Sequence, residues 1–402
     1  MSRGPSGLGV AALAVLLGVL ALLADERSTT VALGAGGGLA ISAPTWVFLL
    51  SGSLVCGGAA AGVAVFARSG WGRWVTTLRV AAGAVTVTAT LTLLASGGTV
   101  NVAAILAMTI AGSVAIVLGS TSGVLAERSG TFNIAIEGQL LMGAFAAALV
   151  ATLTQSPWWG LLAGVLAGIG NASILAATTV FFRVNQVVSG FILVSLSLGL
   201  TGYLTAQLMV PDPDRYNSPP TLQDVDLPVL ADLPVVGPAL FDQNAVFYLC
   251  VATVLAVHFF LSHTVIGLRI RSVGENPSAA FSSGVDAHRV RFWATTLSGA
   301  IGGLGGAAFT VGSSGQFVAG MSSGLGFVAL AAVILGGWRP IPAAGAALLF
   351  GFATSLAAVL SLLDVAISPT LLLIAPYAVT VAVVARGARR LRAPAAAGNP
   401  LP

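Results

Sequence analysis

The chain has 402 residues, of which 56% are hydrophobic and only 7% are charged, and its mean hydropathy is +0.97. Because soluble domains carry about 25% charged residues, this composition excludes an ordinary soluble protein and predicts a chain that lies mostly in lipid. All seventeen basic residues are arginines, so a P-loop ATPase, which requires a lysine, is also excluded. We therefore expect no cofactor in this chain, and any ATP that drives it must be bound by a partner subunit.

Twelve apolar runs of roughly membrane-spanning length follow one another along the chain. They predict an all-α fold, a polytopic membrane helix bundle of about 12 transmembrane helices with both termini in the cytoplasm. In that orientation fifteen arginines lie inside and only Arg27 and Arg215 lie outside, as the positive-inside rule requires. Because the arginines stand singly at the ends of the runs, we expect no nucleic-acid partner. The runs are Leu8–Ala24, Trp46–Phe66, Val80–Leu94, Val102–Leu118, Ile134–Leu153, Gly160–Phe182, Val187–Val210, Ala245–Leu261, Phe292–Val311, Val318–Gly336, Ile341–Leu363 and Leu371–Ala385.

Three stretches need interpretation before this count holds. We expect the first run to be a retained helix rather than a signal peptide, because the residues before Asp25 form a poor cleavage site. The glycine-rich stretch Val31–Ile41 is either extracytoplasmic or re-entrant. The tenth run is short in its densest part, Leu325–Trp338, and is re-entrant or a span beginning near Val318. We favour the span, because a re-entrant segment would place the arginine-rich end of the chain outside.

Two connections are longer than the others. Pro211–Gln243 carries six aspartates and is expected outside, where it is either a solvated loop or a contact surface for an extracytoplasmic partner. His263–Arg291 is polar and basic and is expected inside. In that loop Asn276 suits an N-cap, Pro277 suits the first helical position, and Gly284 suits a left-handed stop. The loop therefore predicts a helix of about two turns, which is too short to cross a bilayer.

The residues around this short helix allow more than one role. Ala279 and Ala280 are small enough to let another protein approach closely, although a simple connector helix explains the same pattern. Four arginines flank the helix and either pair with acids of a partner or only mark the inner side of the membrane. They are Arg269, Arg271, Arg289 and Arg291.

The loop resembles the coupling loop of ATP-binding-cassette importer permeases, whose Ala-Ala-x-x-x-Gly core is present as Ala279, Ala280 and Gly284. Its Val-Gly-Glu-Asn-Pro stretch is similar to the branched-chain amino acid, ribose and nucleoside branch of these permeases. Three more blocks fit that branch, and the Glu-Arg-Ser-Gly and Arg-Val-Asn-Gln sequences in two of them most resemble permeases for nucleosides and related sugars. The blocks are Gly123–Gly138, Arg183–Gly190, and Gly326–Ala331 with Gly336–Pro340.

The resemblance implies a permease subunit of an ATP-driven importer for nucleosides or related sugars in the cell (cytoplasmic) membrane. Its implied partners are an ATPase subunit, a second and related permease chain, and an extracytoplasmic substrate-binding protein. We divide the chain into extra N-terminal helices over 1–79, a permease domain over 80–392 with the coupling loop at 263–291, and a disordered tail over 393–402. The residues that the resemblance assigns to ATPase coupling are Gly274, Glu275, Asn276, Pro277, Ala279, Ala280, Gly284, Arg269 and Arg271.

Four polar residues near the ends of apolar runs are candidates for the translocation pathway. Glu137 follows Asn133 by about one helical turn, and an acid near hydrocarbon usually faces a polar cavity or a hydrogen-bond partner. Both a pathway role and a structural hydrogen bond remain open for this pair. Asn185 and Gln186 stand at the inner end of a run, where a helix cap or turn is favoured over substrate contact.

Two other classes of protein are weighed against the importer. A secondary transporter fits twelve spans, but one half of the chain does not repeat the other, and acids within the runs are scarce. A membrane serine protease is suggested by Gly312–Gly315 and Gly320–Gly324, which match nucleophile motifs. A serine nucleophile needs a base, however, and the three histidines are expected on the opposite side of the membrane.

Overall fold

The computed structural model describes residues 8–24, 27–32, 40–66, 78, 82, 85, 86, 89, 92, 93, 99–226, 236–362 and 392–399. In chain order the elements are α1 (Leu8–Leu23), β1 (Ser28–Ala32), β2 (Ala40–Pro44), α2 (Thr45–Phe66), β3 (Thr99–Asn101), α3 (Val102–Arg128), α4 (Ile136–Thr154), α5 (Pro157–Val180), α6 (Gln186–Leu204), a π-helical turn (Thr205–Met209), α7 (Pro213–Tyr216), β4 (Asp224–Asp226), α8 (Val236–Leu240), β5 (Asp242–Asn244), α9 (Ala245–His263), α10 (Val265–Glu275), α11 (Pro277–Ser282), α12 (Ala287–Phe309), a second π-helical turn (Thr310–Ser314), α13 (Leu325–Leu335) and α14 (Pro340–Leu362).

Most of each predicted apolar run is helical where the structure describes it. Ten of the twelve contain one of these helices. Val80–Leu94 lies mostly, and Leu371–Ala385 wholly, outside the described residues. Within the described part of the chain, seven helices are long and apolar enough to cross a membrane. The structure therefore confirms a largely helical polytopic membrane protein, while the count of 12 and the side of the termini stay predictions.

The chain divides into two compact units. One consists of Met1–Ala107, Pro228–Phe241 and Ala357–Pro369, and the other of Met108–Leu227, Asp242–Leu356 and Thr370–Pro402. In the first unit α1 packs against α2 around Leu17 and Leu49, both fully buried.

The first unit also contains a small sheet that the sequence did not predict. β1 pairs with β2 as an antiparallel hairpin, with Val31 opposite Ile41, and β3 pairs with β1 in parallel. The ends of the glycine-rich stretch are therefore strands, because β-branched residues at 29–31 pair favourably across a hairpin. Residues 33–39 at its tip lie outside the described part.

α13 begins at Leu325, later than the predicted start near Val318. Gly320, Ser323 and Gly324 have φ values of 71°, 45° and 83°, and this left-handed backbone forms turns instead of a helix. The eleven residues of α13 rise only about 17 Å at 1.5 Å per residue, too little to cross a ~30 Å core.

The second unit is built on α4, α5 and α12, which approach one another through glycines. A Cβ atom on Gly168 of α5 would lie 2.1 Å from the Gly299 carbonyl oxygen of α12, and one on Gly143 of α4 would meet the Gly303 backbone. Glycine lets the backbones touch, and such contacts hold helices together in lipid, where burial of apolar surface contributes little. Gly299 and Gly303 stand four residues apart, the small-x-x-x-small spacing that lets helices approach closely, and both lie at this contact.

Helix α5 offers a matched pair of glycine-to-alanine substitutions, one at the contact and one away from it. Gly168→Ala places a methyl group against backbone that cannot move aside, so we expect a loss of about 1–3 kcal/mol of stability and a lower thermal denaturation temperature in detergent. Gly170 has open space where its Cβ atom would stand, so Gly170→Ala should leave stability unchanged or slightly higher. Equal denaturation temperatures for the two variants would contradict the observed helix packing.

Candidate functional site

The short helix α11 begins and ends as its sequence predicts. The Asn276 side chain accepts a hydrogen bond from the Ala279 amide at 3.0 Å, and Pro277 takes the first helical position. Gly284 follows the helix with a φ of 79°, the left-handed conformation that glycine adopts at little cost. The predicted helix is therefore confirmed, with six residues.

α11 turns one side inward and leaves the rest of its surface exposed. Ala280 is buried and packs in a small apolar cluster with Val180, Val273 and Ala287. Phe281 is 72% exposed, an unusual degree for a large apolar side chain outside a membrane helix. The exposed side of α11 consists of Ser278, Ala279, Phe281 and Ser282. Of the two alanines in the motif, only Ala279 is therefore accessible to another protein.

α10 leads into α11 and touches the end of α3 directly. A Cβ atom on Gly274 would lie 2.1 Å from the Arg128 carbonyl oxygen, so only glycine permits this backbone contact. The Arg128 and Glu275 side chains add an ion pair at 4.0 Å, which is partly exposed and therefore weak. Gly274 and Glu275 thus connect the short helix to the longest apolar helix of the described chain.

The four arginines around α11 differ in their surroundings. Arg269 is exposed and Arg271 is half-buried, while Arg289 is exposed and pairs with Asp286 at 3.1 Å. Arg291 is 2% exposed, and its Nε donates to the Ser129 carbonyl at 3.1 Å. Arg291 therefore cannot pair with acids of another protein, because its guanidinium lies inside this one.

The turn that follows α3 is held by side chains from two other helices. Gly130 has a φ of 94°, and a Cβ atom there would lie 2.5 Å from Nη2 of Arg291 on α12. Gln186, at the start of α6, accepts a hydrogen bond from the Phe132 amide at 2.5 Å and donates to the Gly130 carbonyl at 3.4 Å. The main chain of the turn is thus satisfied by residues far away in sequence.

Trp338, just after α13, binds the last turn of α3. Its indole Nε1 donates to the fully buried Glu127 carboxylate at 2.5 Å, and the Arg128 Nε donates to the Trp338 carbonyl at 2.6 Å. All four sequence blocks therefore meet at one place, next to α10. We call this place the junction, and it consists of residues 127–133, Gln186, Gly274, Arg291 and Trp338.

Asn133 continues the junction into a buried cluster of neutral polar groups. Its amide exchanges long hydrogen bonds with the Gln139 amide at 3.3 and 3.4 Å, and the Ser122 hydroxyl donates to Gln139 Oε1 at 3.1 Å. All three side chains are fully buried. Neutral partners satisfy one another here, so no ion is needed to balance the cluster.

Glu137 joins the N-termini of two helices. It lies in the first turn of α4, and its carboxylate accepts hydrogen bonds from the Gly324 and Gly326 amides at 2.8 and 2.7 Å and from the Ser322 hydroxyl at 2.6 Å. A carboxylate satisfies the unpaired amides at a helix start and is favoured by the helix dipole. These contacts support the structural alternative for Glu137, and they give Ser322 a structural role as well.

The last two pathway candidates also have local roles. The Asn185 side chain accepts hydrogen bonds from the Val187 and Val188 amides at 2.9 and 3.3 Å and is the N-cap of α6. Gln186 belongs to the junction. The structure thus links Gln186 to the coupling residue Gly274 through the turn after α3. The Asn185 side chain instead accepts hydrogen bonds from amides of its own helix start.

Three residues of this region are not predicted from the sequence to hold the site together: Gln139, Trp338 and Arg291. An amide in an apolar run is a signal for Gln139, and Trp338 stands in one of the recognised blocks. Arg291 carries no such signal, because the positive-inside rule already explains an arginine there. Among the described residues, no group of His, Cys, Asp and Glu side chains suits a metal ion.

Comparison with known proteins gives a consistent result. Residues 105–384 match the family described as branched-chain amino acid transport system / permease component. The chain is 38% identical over 296 residues to the guanosine ABC transporter permease protein NupQ of Bacillus subtilis, covering 71% of this chain and 92% of that protein. It is 34% identical over 295 residues to the nucleoside ABC transporter permease protein NupC of Lactococcus lactis, with the same coverage.

A more distant relative has a different substrate in its name. The glucose ABC transporter permease protein TsgB13 of Haloferax volcanii is 32% identical over 233 residues, which cover 56% of this chain and 61% of that protein. No solved structure matches the chain.

Proposed function

This chain belongs to the branched-chain amino acid transport system permease family, and from that premise we propose that it carries nucleosides across the cell membrane as one half of an importer's translocation path. It is a permease subunit of an ATP-binding-cassette importer, a transport component and not an enzyme. Family membership also rules against the alternative of a secondary transporter. The observation that carries the proposal is the capped, exposed helix α11 fixed to the junction of the four sequence blocks.

The choice of nucleosides rests on the relatives and on the buried polar groups. The two relatives that match over 92% of their length are named for guanosine and nucleosides, whereas the putative glucose permease TsgC13 and the glucose permease TsgB13 of Haloferax volcanii match over 80% and 61% of theirs. The buried polar cluster of Ser122, Asn133 and Gln139 is neutral and rich in donors and acceptors. Such groups suit a neutral solute that forms many hydrogen bonds better than an ion or an amino acid.

Of the four pathway candidates, we retain Asn133 as the one nearest the path. Its hydrogen bonds to Gln139 are long, at 3.3 and 3.4 Å, so a passing solute can compete for the same groups. The contacts of Glu137, Asn185 and Gln186 support roles in holding helix ends instead.

Coupling to ATP follows from the position of α11. We propose that a separate ATPase subunit binds the exposed face of α11 on the cytoplasmic side, with Phe281 as its apolar anchor and Arg269 and Arg271 alongside. A movement of α11 passes through Gly274 to the Arg128 carbonyl and so to α3, and through the junction to α6 and α12. ATP binding then biases the bundle between two arrangements, which coupling at a distance requires.

The other partners follow from the branch of permeases that the blocks resemble. A second, related permease chain forms the other half of the path. A substrate-binding protein delivers nucleosides from the opposite side, where the aspartates of Pro211–Gln243 offer an acidic contact surface. The local fold supports a shaped surface at the start of that connection, where the Asn217 side chain accepts a hydrogen bond from the Phe317 amide at 2.6 Å and donates to the Phe317 carbonyl at 2.9 Å.

Uptake in cells with and without the gene tests the substrate class. Labelled guanosine and other nucleosides are supplied beside ribose, glucose and leucine, and we expect a selective loss of nucleoside uptake when the gene is deleted. A loss of sugar or leucine uptake instead would leave the importer in place but contradict the substrate. Unchanged uptake of every solute would contradict the proposed transport function in those cells.

The role of α11 is tested by two equal truncations of exposed phenylalanines. Phe281→Ala removes the proposed anchor, and because buried anchors dominate interfaces we expect the ATPase to bind at least about tenfold more weakly in a pull-down titration. Phe259, 61% exposed on the apolar helix α9, is the control, and Phe259→Ala should leave ATPase binding unchanged. Equal binding of the ATPase by the two variants would contradict the proposal that α11 is the docking element.

A further inference from the structure

The segment after the apolar runs is folded where the structure describes it. Disorder is expected over 393–402, yet residues 392–399 form a turn in which Pro394 and Ala396 are buried. Gly398 supplies a left-handed residue, with a φ of 82°. We call residues 392–399 the docked turn. Residues 400–402 lie outside the described part of the chain.

Three separate elements hold the docked turn against the junction. The Ala396 amide donates to the Gly274 carbonyl at 2.9 Å, at the end of α10. Arg291 of α12 donates to the Ala396 carbonyl at 3.1 Å and to the Asn399 carbonyl at 2.8 Å. Gln186 of α6 donates to the same Asn399 carbonyl at 3.2 Å. The Asn399 carbonyl is thus bound by two buried side chains at once.

The docked turn supplies hydrogen-bond acceptors that offset the free-energy cost of burying Arg291. Burial lowers the pKa of this guanidinium, which stands just before the apolar run that starts at Phe292, to about 10, so it stays protonated at neutral pH. No carboxylate forms an ion pair with it among the described residues. Among the described residues its acceptors are the carbonyls of Ser129, Ala396 and Asn399, and the last two belong to the docked turn. A buried cation that loses these acceptors costs free energy, so the turn and Arg291 stabilise each other.

From this geometry we propose that the docked turn is a strap that sets the position of the coupling helix, with Arg291 as the positioning residue that fastens it. The strap binds Gly274, two residues before the N-cap of α11, and ties it to α6 and α12. It therefore strengthens the connection at Gly274 through which α11 acts on α3. This inference rests on the proposed function, because a strap on α10 matters for transport only if α11 receives the ATPase.

The test compares two shortened chains in the complete transporter, purified with its ATPase and second permease and reconstituted with its binding protein. Removal of 396–402 takes away two of the three acceptors of Arg291, whereas removal of 401–402 leaves every contact of the strap in place and keeps the Asn399 carbonyl within a peptide bond. We expect the first variant to bind the ATPase but to move at least about fivefold less guanosine per ATP hydrolysed. A fivefold effect is about the lower end of what coupling between two sites usually produces. The second variant should behave as the intact chain.

A double-mutant cycle separates positioning from general damage. Arg291→Met should lower the guanosine-to-ATP ratio as well. Combining it with removal of 396–402 should lower the ratio by less than the sum of the two single effects, because both changes break the contacts of Arg291 to Ala396 and Asn399. Ala396→Pro deletes only the donor to Gly274 and serves if the shortened chain does not assemble, with a smaller fall in the ratio expected. The proposal that the docked turn positions the coupling helix would be overturned by either of two results. One is a normal guanosine-to-ATP ratio in both Ala396→Pro and the chain lacking 396–402, and the other is fully additive losses in the cycle.

The same assay keeps the two proposals apart. If the intact chain transports guanosine with ATP and the shortened chain matches it, the strap is wrong and the proposed function stands. If the intact, reconstituted complex transports no nucleoside at all, the proposed function itself fails.

Discussion

The contact between Gly274 and the Arg128 carbonyl is the constraint on which the rest of the structure depends. α10 meets α3 where α3 ends, and the chain makes a tight turn there at Gly130. That turn buries carbonyl and amide groups that its own helix cannot satisfy. Arg291 and Gln186 satisfy them from α12 and α6, and each of these residues stands at the start of an apolar segment. The short helix α11 therefore rests on a platform made by several membrane helices together.

This arrangement explains how a chain without catalytic groups can take part in ATP-driven work. Its task is to change shape when a partner moves, and a rigid platform under a mobile contact transmits that movement with little loss. The glycine contacts among α4, α5 and α12 serve the same end, since helices packed backbone to backbone move as a body. Glu137 adds to this rigidity, because it binds the start of α13 to the start of α4.

Local patterns predicted local structure well, and distant contacts not at all. The N-cap, first-turn proline and terminal glycine of α11 act within a few residues, and the helix they predict is present. The junction instead joins residues up to 211 positions apart, such as Glu127 and Trp338, and no periodicity encodes that pairing. Arg291 looked like a topology signal because one sequence cannot distinguish a buried arginine from a surface one. α13 begins later than predicted because residues 318–324 continue the apolar run in the sequence, and the left-handed backbone at Gly320, Ser323 and Gly324 is not encoded by apolarity.

In the proposed mechanism, coupled transport depends on the transmission of movement from α10 to α3. Gly274→Ala tests it directly, because the added methyl group would lie 2.1 Å from the Arg128 carbonyl oxygen and must force the two helices apart. The measurement is guanosine transported per ATP hydrolysed by the reconstituted transporter, with ATPase binding measured on the same sample. The account predicts that this variant still binds the ATPase through α11 but loses most of its coupled transport. A normal ratio of transport to hydrolysis in Gly274→Ala would contradict it.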